Sequence, residues 1–151
     1  MIEVILAKIE DAICIAEIEQ ISFSDAWSEK SILDCLNNQR YTFYVAKEQG
    51  KIIGYSGLLN CFDFADVTRI AVLPEFKNMG VGKKLFSALL NRAKELKVDS
   101  LMLEVRADNL PAISLYEKFG GVAYGVRKNY YGGGIDGILY RFTLGEEPLG
   151  I

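Results

Sequence analysis

The sequence predicts one mixed α/β domain, and three observations lead to this fold class. Strand-like runs rich in β-branched and aromatic residues are interspersed with helical segments, in the order βααβββαβαββ. The chain has 151 residues, 50% of them hydrophobic, which is enough for one sizeable core. No repeat, linker or low-complexity stretch divides the sequence. We therefore expect a single layered domain over residues 1–145, followed by a loose tail at residues 146–151.

The first half of the sequence predicts a strand, two helices and a β-hairpin. Apolar residues at helical spacing mark the first helix, and the serine before the second is a typical N-cap. A Gln-Gly-Lys turn joins the two hairpin strands. The predicted elements are a strand at 2–7, a helix capped by Asp11 that runs to about Phe23, a helix from Glu29 to Asn37 capped by Ser28, and strands at 41–47 and 52–60.

The second half predicts four strands and two helices. Leucines at helical spacing mark the longer helix. Pro111 falls in the first turn of the shorter helix, where proline is tolerated, and a glycine pair ends it. The predicted elements are strands at 67–72, 100–106, 122–128 and 138–144, and helices at 80–97 and 109–119.

Charge and hydropathy narrow the classes of partner. The formal net charge is -3 and the sequence pI is near 5.1, which argues against broad binding to nucleic acid or to an anionic membrane. No apolar run reaches the roughly 18 residues of a transmembrane helix. The first residues lack the basic stretch of a signal peptide. We expect a cytoplasmic protein that is a monomer or a weak dimer.

The cysteine and histidine counts limit the possible chemistry. Cys14, Cys35 and Cys61 show no CxxC spacing, which argues against a disulfide framework and a zinc site and favours three buried thiols. Histidine is absent, so Ser-His-Asp and Cys-His catalysis and His-ligated metals are excluded. We expect no metal, and proton transfers must use Glu, Asp, Tyr, Lys, Cys or water.

The most informative segment is residues 69–85. A strand ends at Pro74, a loop follows, and Gly80 and Gly82 open a strongly helical stretch. Such a helix start can bind an anion, because its first backbone N–H groups are unpaired and the helix dipole is positive there. Glycines let the ligand approach the backbone closely. Lys83 in the first turn opposes the dipole unless an anion is bound. The segment predicts a phosphate-binding loop, although a plain tight turn before an amphipathic helix also accounts for the glycines.

Two common phosphate motifs fit this loop poorly. A P-loop requires G-x-x-x-x-G-K-[ST], but Lys77 stands at the first glycine and Lys84 at the hydroxyl residue that binds magnesium. A dinucleotide fingerprint requires G-x-G-x-x-G, and Leu85 stands at its third glycine. ATP and NAD are therefore disfavoured as ligands.

The loop resembles the acetyl-CoA loop of the GNAT family of N-acetyltransferases, usually R/Q-x-x-G-x-G/A. Residues 77–82 read Lys-Asn-Met-Gly-Val-Gly, so that Lys77 departs from the usual Arg or Gln but keeps the positive charge. Other parts of the chain also resemble this family, and the best match runs from about 67 to 131. These further segments are 27–30, 69–72, 101–109, 112–120 and 127–131.

The resemblance implies a mixed, mostly antiparallel sheet flanked by helices, with acetyl-CoA as cosubstrate. In this family the sheet splays between the strands that correspond to 67–72 and 100–106, and acetyl-CoA enters that gap. Backbone groups of the first strand and of the loop hold the cofactor, and an N–H near Val72 polarises the thioester carbonyl. The implied cofactor-binding residues are Ile70, Ala71, Val72, Asn78, Met79, Gly80, Val81, Gly82, Lys83 and Asn109, the last also a candidate helix cap.

Two residues are candidates for the proton transfers. Glu104 interrupts the apolar run 101–105, so it either faces solvent or lines a cleft in which desolvation raises its basicity. Tyr116 lies on the predicted helix 109–119, where a tyrosine is often a core aromatic. The resemblance implies that Glu104 is the general base and that Tyr116 protonates the departing sulfur of CoA.

Three aromatic residues are candidates for contact with the acceptor. Trp27, Tyr130 and Tyr131 lie in predicted loops, where rings either bind a peptide or cover the edge of the core. The resemblance is closest to family members that acetylate the N-terminal alanine of a small-subunit ribosomal protein. The implied partner is that N-terminal peptide, with no nucleic acid or membrane. A GNAT enzyme for small amines or lysine side chains, a non-catalytic acetyl-CoA-binding module and an adaptor without cofactor are the alternatives.

Overall fold

The computed structural model describes residues 1–145, so the tail expected at 146–151 lies outside the described residues. The order of helices and strands is the one that the sequence predicts, with short 3-10 turns added at Ile9–Asp11 and Pro74–Phe76. The elements are β1 (Ile2–Leu6), α1 (Ala12–Ser22), α2 (Glu29–Leu36), β2 (Tyr41–Glu48), β3 (Lys51–Asn60), β4 (Phe64–Val72), α3 (Val81–Glu95), β5 (Ser100–Arg106), α4 (Leu110–Lys118), β6 (Val122–Arg127) and β7 (Gly137–Thr143).

The strands form a single sheet in the order β1-β2-β3-β4-β5-β7-β6. All neighbours are antiparallel except β4 and β5, which are parallel. The β4–β5 pairing covers only residues 64–66 against 100–102. Beyond that point the two strands share no ladder, so the sheet opens into a gap at its centre. This confirms the mixed, mostly antiparallel sheet that the family resemblance implies.

A bulge accompanies the opening of the sheet. The register between β3 and β4 shifts at Gly57/Leu58, opposite Thr68, which is left without a partner in the ladder. A bulge bends its strand and increases the local twist. Because the shift falls directly after Asp66, where the pairing of β4 with β5 ends, it accounts for the divergence of the two strands.

The two faces of the sheet carry different helices. One face packs on α3 and α4, and the odd-numbered residues of β5 point into this core. The other face packs on α1 and α2 around Phe43 and Tyr55. Side chains alternate along a strand, so Glu104 points to the α1/α2 face. The buried residues of β5 on the α3/α4 face are Leu101, Leu103 and Val105.

Of the two helix caps predicted in the first half of the chain, one is confirmed and one is wrong. Ser28 caps α2 as predicted, since its Oγ accepts a hydrogen bond from the N–H of Ser31 at 3.1 Å. Asp11 does not cap α1 with its side chain. Its carboxylate instead accepts the N–H of Lys8 at 2.8 Å, because the preceding 3-10 turn brings that N–H within reach.

The three cysteines are more exposed than the sequence predicts. The prediction of three buried thiols was wrong: Cys14 is exposed, and Cys35 and Cys61 are half-buried. All three are free. Within residues 1–145, no helix is both long and apolar enough to span a membrane.

Candidate active site

The glycine loop forms an open cradle of backbone donors at the start of α3. Gly80 is the N-cap with φ of +78°, and no side chain caps the helix. Within the described residues, the N–H groups from Asn78 to Lys83 donate to no protein acceptor. A Cβ added at Gly82 would meet no atom within 4 Å, so the space in front of the helix is free. These features fit a bound phosphate group, which takes N–H donors at a helix N-terminus.

The strand that leads to the loop presents one backbone edge to the gap. The N–H of Leu73 bonds to the carbonyl of Ile53, so Ala71, two residues earlier, also faces β3. Ile70 and Val72 alternate with it and turn their peptide groups to the gap. The strand therefore offers the N–H of Val72 to a ligand, whereas the N–H and C=O of Ala71 belong to the sheet.

Glu104 lies on β5 beside this gap, with its side chain only 19% exposed. Its Oε1 is 3.7 Å from Nη1 of Arg127, at the end of β6. Its Oε2 is buried and has no hydrogen-bond partner within residues 1–145. A buried acceptor without a donor is costly, which suits a group that meets its donor only when a substrate is present.

A second carboxylate, which the sequence analysis missed, lies near the first. Asp66 on β4 pairs with Met102 and therefore lies on the same face as Glu104. Burial, followed by the charge of Glu104, raises the pKa of Asp66, and Arg127 opposes the shift. The open end of the sheet thus concentrates two acidic groups with one arginine.

Tyr116 lies on the other side of the sheet. It is buried among aromatic side chains on the α3/α4 face, with its ring centroid 5.1 Å from that of Phe86. Burial, followed by the charge of Tyr131, raises its pKa to about 12. The hydroxyl makes no hydrogen bond within the described residues, yet it is not among their fully enclosed orphan atoms. The ring therefore belongs to the core, while the hydroxyl keeps some contact with solvent.

The three aromatic residues that are predicted to contact an acceptor lie in two different connections of the chain. Tyr131, between β6 and β7, lies edge-on to Tyr130, and its centroid is 5.3 Å from the guanidinium carbon of Arg106. Burial and then Glu104 raise the pKa of Tyr131, so its hydroxyl is near the candidate base. Trp27 lies between α1 and α2 and is half-buried against the core. Tyr130 is 55% exposed.

Asn109 and Lys83 lie at the starts of α4 and α3. Asn109 is the N-cap of α4, and its Oδ1 accepts the N–H of Ala112 at 3.3 Å, as predicted for a cap. Its side-chain NH₂ group makes no hydrogen bond within the described residues. Lys83 and Lys118 border a cavity of about 390 Å³ between the start of α3 and one side of α4, with Pro111, Leu115 and Phe119 as its apolar lining. The cavity lies next to the cradle and extends it.

The sequence matches the model of the acetyltransferase (GNAT) family over residues 12–121. The chain belongs to the GNAT family. The ribosomal protein bS18-alanine N-acetyltransferase of Escherichia coli is 34% identical over 114 residues, 76% of each chain. A protein of Bacillus subtilis is 37% identical over 141 residues, 92% of this chain and 93% of its own. The crystal structure of the E. coli enzyme superposes with a TM-score of 0.88 at 28% identity, covering 100% of this chain and 99% of that one. The GNAT fold and acetyltransferase class implied by the sequence are thereby confirmed.

Proposed function

We propose that the chain transfers the acetyl group of acetyl-CoA to the N-terminal alanine of ribosomal protein bS18. The observation that carries the proposal is the mostly buried carboxylate of Glu104 beside the gap, whose Oε2 has no hydrogen-bond partner among residues 1–145. The relatives named for this reaction support the choice of acceptor. A bacterial ribosomal protein as substrate implies a cytoplasmic location. The proposed reaction needs no metal.

Acetyl-CoA would bind along the cradle and the gap. We assign its pyrophosphate to the N–H groups of residues 78–83 and its pantetheine arm to the edge of Ile70 and Val72. Asn109 would hydrogen-bond the arm from the start of α4. The adjacent cavity bordered by Lys83 and Lys118 has room for the remaining part of the molecule and a positive rim for its phosphates. Acetyl-CoA supplies the activated acetyl group, and the N–H of Val72 would polarise its carbonyl.

Glu104 would act on the acceptor amine. An α-amino group has an ordinary pKa of about 8, so most of it is protonated at neutral pH and cannot attack. The Glu104 carboxylate would take one N–H proton, directly or through a water molecule. The first residues of the peptide would contact three aromatic side chains on the face of the sheet that carries Glu104: Trp27, Tyr130 and Tyr131. The reaction forms the new amide without a covalent acyl-enzyme.

Tyr116 would act on the departing sulfur from the opposite face. Its pKa of about 12 keeps the phenol protonated throughout the working range. An ordinary thiol has a pKa of about 8.5, so complete proton transfer from this phenol to a thiolate is uphill by several kcal/mol. The hydroxyl is therefore best suited to stabilise the developing charge by a hydrogen bond, and a proton that it passes to sulfur is replaced by the second proton that the attacking nitrogen releases.

The acceptor class is tested by comparing three kinds of amine. Peptides that begin with the N-terminal sequence of bS18 are compared with free small amines and with N-terminally blocked peptides that carry an internal lysine. We expect kcat/KM for the alanine peptides to exceed the others by at least about a hundredfold. Equal or better rates on the other amines would contradict the ribosomal acceptor and favour the alternative GNAT activities.

The catalytic roles are tested with two variants and matched controls. Glu104→Gln and Tyr116→Phe should each lower kcat by about a hundredfold or more, with the calorimetric Kd for acetyl-CoA unchanged. The controls are Glu3→Gln on the far edge strand and Tyr124→Phe on β6, both exposed. Full turnover in both active-site variants would show that the assigned roles are wrong. If the wild-type protein does not bind acetyl-CoA, the proposed acetyl transfer is wrong.

A further inference from the structure

A buried carboxylate joins helix α1 to the central sheet. Glu19 is completely buried, although the sequence around it is an ordinary amphipathic helix. Its Oε1 accepts the backbone N–H of Trp27 at 2.9 Å. Its Oε2 accepts the hydroxyl of Tyr55 and lies 3.3 Å from Nε of Arg69, in an ion pair rather than an aligned hydrogen bond. Both carboxylate oxygens therefore have partners, one of them in the chain that follows α1.

Arg69 extends from β4 into the connection between α1 and α2, residues 23–28. Its Nη2 donates to the backbone carbonyl and to Oδ1 of Asp25, each at 3.1 Å. Its guanidinium carbon lies 4.0 Å from the ring centroid of Phe23 and 5.5 Å from that of Trp27. One side chain thus contacts the start, the middle and the end of the connection.

The 23–28 connection lies on the acceptor side of the gap. Arg69 directly precedes Ile70, whose backbone edge borders the gap, and its side chain lies on the same face of the sheet as Glu104. Tyr131 lies within electrostatic range of both residues: burial and then Glu104 raise its pKa, whereas Arg106 and then Arg69 lower it. Through Arg69, the 23–28 connection is therefore attached to the same face of the sheet as Glu104, at the strand that borders the gap.

We propose that Arg69 and Glu19 are positioning residues that hold the 23–28 connection as a preformed wall of the acceptor groove. This inference rests on the proposed function, because that function assigns the groove to the acceptor. A planar guanidinium can bond to Asp25 while it stacks on two rings, and an ammonium group cannot do both. We call the contacts of Arg69 and Glu19 with the connection the clamp. Because a wall that is fixed before binding need not be ordered when the acceptor arrives, the clamp acts on affinity rather than on the chemical step.

The test uses a property of the sequence: Trp27 is the single tryptophan beside eight tyrosines, so fluorescence excited beyond the tyrosine absorption band reports on the connection alone. The variants are Arg69→Lys, which keeps the charge but loses the planar fork, and Glu19→Gln. The matched control is Arg40→Lys, since Arg40 also stacks on a ring, that of Phe62, and bonds to a carbonyl. We expect acrylamide quenching of Trp27 to rise about twofold in the variants and not in the control. The KM for the acceptor should rise about tenfold, with kcat within about twofold and the Kd for acetyl-CoA unchanged.

The outcomes separate this inference from the proposed function. A wild-type protein that fails to acetylate alanine peptides contradicts the proposed function, whereas the clamp is judged by quenching in the free protein and by KM for whichever amine is used. Unchanged quenching in Arg69→Lys overturns the clamp, and so does increased quenching with unchanged KM. If Glu19→Gln does not fold, Arg69→Lys alone decides the test. The Arg69 side chain is partly solvent-accessible and the substitution keeps its charge, so we expect this variant to fold.

Discussion

Gly137 leaves the space that the Glu104 carboxylate occupies. The two residues lie on the neighbouring strands β7 and β5, and a Cβ built on Gly137 would overlap Oε2 of Glu104. The nearest other atoms also belong to that side chain, with the carboxylate carbon at 3.2 Å. The glycine thus has a role that its backbone does not reveal, since its φ is not positive. It allows the carboxylate to turn inward beside the gap.

Gly137→Ala should therefore displace the candidate base without harming the fold. The overlapping atom is at the end of a flexible side chain, so the strand can stay in place while the carboxylate rotates away. We expect kcat/KM to fall by about tenfold to a hundredfold, the cost of misplacing a catalytic group by about 1 Å. Acetyl transfer assays and urea unfolding would measure the two effects.

Gly125→Ala is the matched control for this substitution. Gly125 lies on β6 and its added Cβ would approach only Leu139, at 3.2 Å. We expect near-normal activity in this variant. Equal activity losses in both variants, or a large loss of stability in Gly137→Ala alone, would show that the effect arises from the sheet and not from Glu104.

The phosphate cradle yields a prediction in which stability and affinity change in opposite directions. Gly82 lies in the first turn of α3 and an added Cβ meets nothing, so Gly82→Ala should stabilise the helix by about 0.5–1 kcal/mol. The same methyl group would project into the space assigned to the pyrophosphate. We expect the Kd for acetyl-CoA to rise about tenfold, a loss of about 1.4 kcal/mol. Thermal unfolding and calorimetry check the two halves, and unchanged affinity would place the anion elsewhere.

Local patterns in the sequence predicted much of the fold. The bounds of β5 agree fully with those predicted, and Ser28 and Asn109 cap their helices as expected. These features depend on residues close in the chain. The start of β4 was placed at 67 instead of Phe64, because its first residues are ordered by pairing on both sides, with β3 and with β5, which lies more than 30 positions away. The same error hid Asp66, which then seemed to belong to a loop.

Glu19 carried a signal that helical spacing alone could have revealed. It lies four residues after Ile15 and seven after Ala12, both of which are buried, so it continues the apolar face of α1. A carboxylate at such a position is a buried charge that requires partners. The identity of those partners, Tyr55 and Arg69, depends on the packing of α1 against the sheet and could not be read from the chain.

Asp66 yields a prediction about pH and stability. Its pKa is raised above the ordinary 3.8, first by burial and then by Glu104. The folded state therefore holds this proton more tightly than the unfolded chain, and the free energy of unfolding falls as pH rises through the folded-state pKa. Asp66→Asn removes the ionised form, so it should be more stable than the wild type at neutral pH. The difference should shrink as the pH approaches about 4.

Urea unfolding across this pH range, with Asp63→Asn as control, checks the sign. Asp63 lies three residues earlier and is exposed. We expect its replacement to leave the pH dependence unchanged. If the stability of Asp66→Asn relative to the wild type is lower at neutral pH than at acidic pH, the predicted direction of the effect is wrong. It would mean that the ionised carboxylate stabilises the fold, for instance through Arg127.

Tyr116 yields a prediction about the shape of the pH–rate profile. Because its pKa is about 12, the hydroxyl stays protonated across the range in which rates are measured. Tyr116→Phe should therefore lower kcat by the same factor at every pH from about 6 to about 10. The fold should tolerate the change, since the hydroxyl has no partner among residues 1–145 and the ring packing is kept. A falling limb near pH 9 that disappears in this variant would show that the phenol ionises in the working range, and Tyr124→Phe should leave the profile unchanged.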